Sequence, residues 1–206
     1  MAYNAQSTGH YAQYRDANNI ASMNDIIIYR NKEILPYFEK KLRELIKKTG
    51  KNNLDHTTTS LDFSECLDII PERTLVYADP PYAFVHYSRF YHALETLVKY
   101  DYPEVQHKGR YRNDRHQSPF CKRKEVVNAF QTLFQKIKKK RAKLVLSYSN
   151  TGMISLERII ELARETFGED YIVYSKAIDY THSTMGRSND KSREVQEYLV
   201  IATIKK

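Results

Sequence analysis

Apolar positions along the chain fall into two periods, and each change of period marks an element. From Asn24 to Gly50 the spacing is helical: Ile34, Leu35, Phe38, Leu42, Leu45 and Ile46 recur at three- and four-residue steps with Lys and Glu opposite. Lys47, Lys48 and then Gly50 give that helix its stop. Residues 1–23 are polar, with Gly9-His10-Tyr11-Ala12-Gln13-Tyr14-Arg15 as their one distinctive string, and are expected to form an arm. The β-branched run Thr57-Thr58-Thr59-Ser60-Leu61 leads into Asp62-Phe63 and predicts a short strand ending in a carboxylate. Ser64–Ile70 fits one or two helical turns before Pro71. Leu75-Val76-Tyr77-Ala78 then reads as a buried strand that stops at Asp79-Pro80-Pro81-Tyr82.

The second half repeats this alternation. A helix starts near Ser88, with Phe90, Tyr91, Leu94, Leu97 and Val98 on one side; Tyr100–Cys121 has no period. Loops of that length are functional or disordered. Val126, Val127, Phe130, Leu133, Phe134 and Ile137 mark a helix from Lys122, closed by Lys138-Lys139-Lys140-Arg141. Lys143–Asn150 reads as a second buried strand with a polar end. Leu156, Ile159, Ile160, Ala163 and Phe167 form the next helix, stopped at Gly168. Strands over 171–178 and 196–203, joined by a polar turn over Thr181–Arg193, finish the chain. The expected fold is an α/β sheet with an antiparallel end, in two parts: an N-terminal arm and helical segment over 1–56, and an α/β portion over 57–206.

Composition narrows the class. Hydrophobic content of 41% supports a core, and no apolar run approaches the roughly 20 residues that span a bilayer. The start lacks a basic-then-apolar leader, so a cytoplasmic protein without a membrane partner is expected. Cys66 and Cys121 lie far apart, and the 7 histidines show no ligand spacing, so no metal is expected. Net charge of +8 fits a polyanion partner. Lys108, Arg110, Arg112, Arg115, Lys122 and Lys124 crowd one aperiodic stretch, which reads either as a phosphate-contacting loop or as a solvated charged one. The Lys138–Arg141 run sits at a helix end, where cations need no ligand.

The strand end carries the chemistry. Neither proline can donate to a ladder, so the chain leaves the sheet extended and Asp79 and Tyr82 stand just beyond its carboxyl end, where open α/β sheets bind ligands. An exocyclic amine on a purine is a poor nucleophile because its lone pair is shared with the ring. Two acceptors aimed at its N–H bonds withdraw that lone pair from conjugation. Asp79 offers a carboxylate, the Pro80 carbonyl a second acceptor, Pro81 fixes the backbone, and Tyr82 offers a flat face for an unstacked base. The plain alternative is a Pro-Pro turn with Asp79 as a cap.

Asp79-Pro80-Pro81-Tyr82 resembles the catalytic motif of S-adenosylmethionine-dependent DNA adenine-N6 methyltransferases. The wider string resembles one Dam-like bacterial branch: Tyr77–Tyr82, Tyr87-Ser88-Arg89-Phe90-Tyr91-His92-Ala93-Leu94-Glu95-Thr96-Leu97-Val98, Tyr100-Asp101-Tyr102-Pro103, Gly109-Arg110-Tyr111-Arg112 and Arg115–Cys121. The resemblance implies a Rossmann-like sheet, S-adenosyl-L-methionine as cofactor, double-stranded DNA as partner and a restriction-modification setting. It implies DNA contacts by Tyr87 and Arg89 beside Arg110, Arg112, Arg115, Lys122 and Lys124. Asp62 and Phe63 resemble the acid and aromatic that hold the cofactor's adenine; a helix N-cap explains Asp62 equally well.

One family feature is missing. No two of Gly9, Gly50, Gly109, Gly152, Gly168 and Gly186 lie within five residues of each other, so the F-x-G-x-G cofactor loop has no counterpart. The expectation is a methyltransferase portion lacking its first strand–loop–helix unit: a carboxyl-terminal half completed by a separate chain with the glycine-rich motif, or a truncated one. The alternative is a catalytically silent subunit that binds DNA or a partner.

Overall fold

The computed structural model describes residues 19–31, 33–49, 54–82, 84, 86–107, 111–178 and 196–205. Backbone packing divides the chain into two compact units, residues 1–59 with 92–113 and residues 60–91 with 114–206. The expected turn over 181–193 and most of the expected arm lie outside the described residues.

In the first unit the expected single helix is two, α1 (Ile20–Arg30) and α2 (Ile34–Thr49). The break has a local cause. Pro36 lacks an N–H and its ring excludes the carbonyl four residues back, so a helix must restart for Pro36 to fall in a first turn. Leu35, Phe38 and Ile46 are exposed along the predicted apolar side of α2. The same unit holds a small antiparallel hairpin, β2 (Val105–Gln106) with β3 (Tyr111–Arg112).

The second unit carries the sheet. β1 (Leu75–Ala78) runs parallel to β4 (Lys143–Ser149), and β6 (Glu197–Ile204) lies antiparallel between β4 and β5 (Tyr171–Ile178). The order is β1-β4-β6-β5, a mixed sheet as expected. Side chains alternate across it. Leu144, Leu146, Tyr148, Val200 and Ala202 face α5 (Val126–Lys139) and α6 (Leu156–Phe167), whose Phe130, Phe134, Ile137, Ile159 and Phe167 are fully buried. The register lines up Tyr77, Val145, Ile201 and Tyr174 on the opposite face. There Leu75 and Tyr77 are 64% exposed, Ile172 50% and Tyr174 46%.

The strand expected over 57–62 does not form. Residues 54–62 have no regular structure, and Asp62 instead begins α3 (Phe63–Ile69), accepting from the Ser64 N–H while the Glu65 side chain accepts from its own N–H. β-branched residues favour a strand only where a neighbouring strand packs against them. A capping box offers this backbone local hydrogen bonds instead.

The cationic run closing α5 is structural. Lys140 Nζ donates to the carbonyls of Asp68 and Ile70 at 2.7 and 2.9 Å, Lys138 Nζ to that of Thr166 at 3.0 Å, and Lys136 Nζ meets the Asp68 carboxylate at 2.6 Å. Cations thus satisfy the open carbonyls at the ends of α3 and α6. The Lys136 hydrogen bond also holds the Asp68 carboxyl below its ordinary range.

Candidate functional site

β1 ends at Ala78, opposite Leu146, so Asp79 stands beside the carboxyl end of the parallel strand β4. The turn away from the sheet buries Pro80, half-buries Pro81 and Tyr82, and leaves Asp79 open. Among the described residues the Asp79 carboxylate has neither a hydrogen-bond nor an ion-pair partner. Lost hydration, followed by the charge of Glu197, raises its pKa above the usual carboxylate value. The same two causes, in the same order, raise the Tyr82 hydroxyl. Glu197 begins β6 opposite Ser149 and Ile178, so the carboxyl ends of β1, β4 and β5 and the start of β6 lie along this edge of the sheet.

Tyr82 is held from below. Its carbonyl accepts from the Met153 N–H at 3.0 Å, and its ring meets the Tyr148 ring edge-on at 6.0 Å. Tyr148 is 1% exposed, packs on Phe130, and its hydroxyl accepts from the Ile154 N–H at 3.4 Å. Gly152 lies so close to that ring that a Cβ there would overlap it. The turn is pinned at its other end too: Asn150 N–H donates to the Gln196 carbonyl, and Gln196 N–H returns to Asn150 Oδ1.

Beyond the motif, His86 Nδ1 accepts from the Ser88 N–H, and Ser88 Oγ donates to the His116 carbonyl at 2.7 Å. This ties the start of α4 (Ser88–Lys99) to the stretch before α5. The His86 and His116 rings meet edge-on at 5.3 Å; burial, then His116 and Arg115, lowers the His86 pKa. Tyr87 is 47% exposed, with its hydroxyl pKa raised by burial and then by Asp79. The Arg123 guanidinium lies 5.5 Å above the Phe84 ring.

The expected DNA contacts separate. Lys124 is exposed, Lys122 is partly exposed and pairs with Glu125 at 3.2 Å, and Arg89 and Arg115 are half-buried. Arg110 lies outside the described residues. Arg112 needs correction. It is 2% exposed, with its guanidinium forked on Asp101 (2.7 Å for one arm) and reaching Thr96 Oγ1. A guanidinium so engaged is not presented to a duplex; Arg115, Lys122 and Lys124 share its charge but not its burial. Phe63, the expected cofactor aromatic, is half-buried edge-on to Phe120 at 5.0 Å.

Sequence reasoning passed over Glu197 and Tyr148. Glu197 was legible only as a charged residue opening a strand whose antiparallel partner ends polar. Tyr148 alternates with Leu144 and Leu146 and so reads as core. Among the described residues no group of three or more His, Cys, Asp or Glu is placed to hold a metal, and no helix is long and apolar enough to cross a membrane.

Residues 9–161 match the family model for D12 class N6 adenine-specific DNA methyltransferases. The chain is 32% identical over 153 residues to the type II methyltransferase M.FokI of Planomicrobium okeanokoites, covering 73% of this chain and 23% of that protein. It is 31% identical over 128 residues to modification methylase LlaI of Lactococcus lactis subsp. lactis, covering 61% and 20%. Against the type II methyltransferase M.NlaIII of Neisseria lactamica it is 28% identical over 128 residues, covering 62% and 37%. The chain therefore spans about a fifth to just over a third of the relatives it matches. No solved structure matches it.

Proposed function

The chain belongs to the D12 class N6 adenine-specific DNA methyltransferase family, and from that premise we propose that it holds a target adenine of double-stranded DNA for methylation at N6, in a restriction-modification setting. The observation that carries the reading is Asp79: an open carboxylate at the carboxyl end of a parallel strand, with a raised pKa, followed by a buried proline and a half-buried tyrosine.

In this reading Asp79 and the Pro80 carbonyl accept from the two N–H bonds of the adenine amine, drawing its lone pair out of conjugation. Pro81 fixes the carbonyl's direction, and the Tyr82 ring stacks on the base. A carboxylate with raised basicity also suits the proton that leaves the amine on transfer. Positioning and electrostatics supply the rate. Lys124, Arg115, Lys122, Arg89 and Tyr87 contact the DNA backbone beside the pocket.

S-adenosyl-L-methionine supplies an electrophilic methyl group when bound. Asp62 and Phe63 would hold its adenine end. Asp62 is open to solvent, and one of its oxygens caps α3 while the other is available to an amine. For the methionine end the chain has no closely spaced glycines. We therefore take β1-β4-β6-β5 as the second half of a Rossmann-like sheet, within an α/β catalytic portion that begins near residue 57. A glycine-rich segment not contained in these 206 residues completes it. The exposed face of Leu75, Tyr77, Ile172 and Tyr174 supports a covering partner.

The net charge of +8 favours a second reading, a silent DNA- or partner-binding subunit. Methyl transfer from tritiated donor to an adenine-containing duplex separates the two, measured with and without a supplied glycine-loop half. Transfer that needs Asp79 supports the enzyme; full transfer by Asp79→Ala rules out the proposed site, and its absence in every combination leaves the binding subunit.

A further inference from the structure

Tyr148 sits under the site without reaching its open face. Its ring, 1% exposed, has Phe130 on one side and the edge of Tyr82 on another. The turn after β4 fixes it twice, by the Ile154 N–H on its hydroxyl and by Gly152 against its ring, where no side chain fits. That same turn grips the Tyr82 backbone through the Met153 N–H. Ring and carbonyl of Tyr82 are thus set by one short segment, itself pinned to Gln196 at the head of β6.

A merely structural tyrosine in the core needs none of this convergence. Phe130 already fills the space beneath, and leucine suits the row of Leu144 and Leu146 on the same face. An aromatic edge has a different use, because it orients the neighbouring ring as well as filling volume. We propose that Tyr148 is a positioning residue: held by the Gly152–Ile154 turn, it sets the plane in which Tyr82 receives the target base. The inference rests on the reading of Tyr82 as a stacking platform and assigns the geometry of that platform to a second residue.

The test keeps the two apart. Tyrosine rings are carbon-13 labelled, and the Tyr82 signal is assigned by its loss in Tyr82→Phe. In Tyr148→Leu the Tyr82 ring signal moves toward flexible-chain values while the other tyrosines stay in place. Tyr148→Phe, which keeps the ring, leaves it unmoved. Gly152→Ala, which displaces the ring, moves it as Tyr148→Leu does. An unmoved Tyr82 signal in folded Tyr148→Leu overturns the proposal, whatever DNA does.

The second arm uses duplex DNA with 2-aminopurine at the target position. Tyr148→Leu lowers the fluorescence rise on binding by about fivefold with duplex affinity within about twofold, and Tyr148→Phe restores the rise. Equal losses of rise and affinity in both variants count against positioning. A wild-type protein that binds the duplex but gives no rise, beside a Tyr82 signal that does move, defeats the base-holding reading and leaves the Tyr148–Tyr82 coupling standing.

Discussion

Two carboxylates at the ends of neighbouring segments have opposite fates. Asp62 accepts from the Ser64 N–H and closes a capping box with Glu65; nearby, Asp68 is gripped by Lys136, and Lys140 satisfies two carbonyls. Around α3 and the end of α5, polar groups are engaged in holding helices together. Asp79 stands open beyond β1 with its pKa raised by lost hydration and by Glu197. In the first region charge is tied into helix ends; in the second a carboxylate is left open, with no hydrogen-bond or ion-pair partner among the described residues. A carboxylate held near a second carboxylate costs the fold something, and such placement is a mark of functional sites.

The largest break in this contrast comes from Asp79→Ala. Methyl transfer in the completed enzyme falls by about 10²–10³-fold, the scale of losing one preorganised polar group at a reacting centre. Thermal melting stays within about 2 °C, because the carboxylate has no hydrogen-bond or ion-pair partner among the described residues to lose. A single-turnover assay beside a melting curve checks both halves.

Two arginines sharpen the same contrast. Arg112→Met removes a buried fork and leaves Asp101 without it, lowering urea stability by about 1–3 kcal/mol while the salt dependence of duplex binding stays unchanged. Arg115→Ala does the reverse: stability holds, and the slope of log affinity against log salt falls by about one. Equal behaviour of the two would erase the distinction between engaged and presented charge.

Smaller effects follow at Asp62. Asp62→Ala loses the cap and about 1 kcal/mol. Asp62→Ser restores the cap and the stability but not affinity for the methyl donor, measured by calorimetry on the completed enzyme. Recovery of both by serine would make Asp62 a cap and nothing more.

The smallest effect is a pH dependence of stability. A raised pKa means that folding favours protonated Asp79. Its stabilising contribution is complete below the ordinary carboxyl pKa and is lost as pH rises through the raised one. Asp79→Asn therefore melts slightly above wild type at neutral pH, and the two converge in acid. Glu197→Gln narrows the gap.

The sheet was legible because its strands are continuous apolar runs broken by proline, glycine or polar clusters, and local pattern decides such runs. Leu75–Ala78 and Lys143–Ser149 both follow this rule. Failures arose where local preference met tertiary need. Thr57–Asp62 has strand-forming residues but no sheet neighbour among the described residues, so a capping box took its end. The helix over 24–50 ignored what Pro36 does to the turn before it. Arg112 looked like the cations around it, because sequence shows charge but not the Asp101 that engages it. Tyr148 hid for the opposite reason: its alternation with leucines gives no sign of the Tyr82 ring across the loop.

The most direct measurement is nucleoside analysis of duplex DNA exposed to the methyl donor and to the chain supplied with a glycine-loop half. A base-holding site at Asp79–Tyr82 predicts N6-methyladenine with wild type and none above background with Asp79→Ala. Methylcytosine as the product, or equal N6-methyladenine from Asp79→Ala, would contradict it.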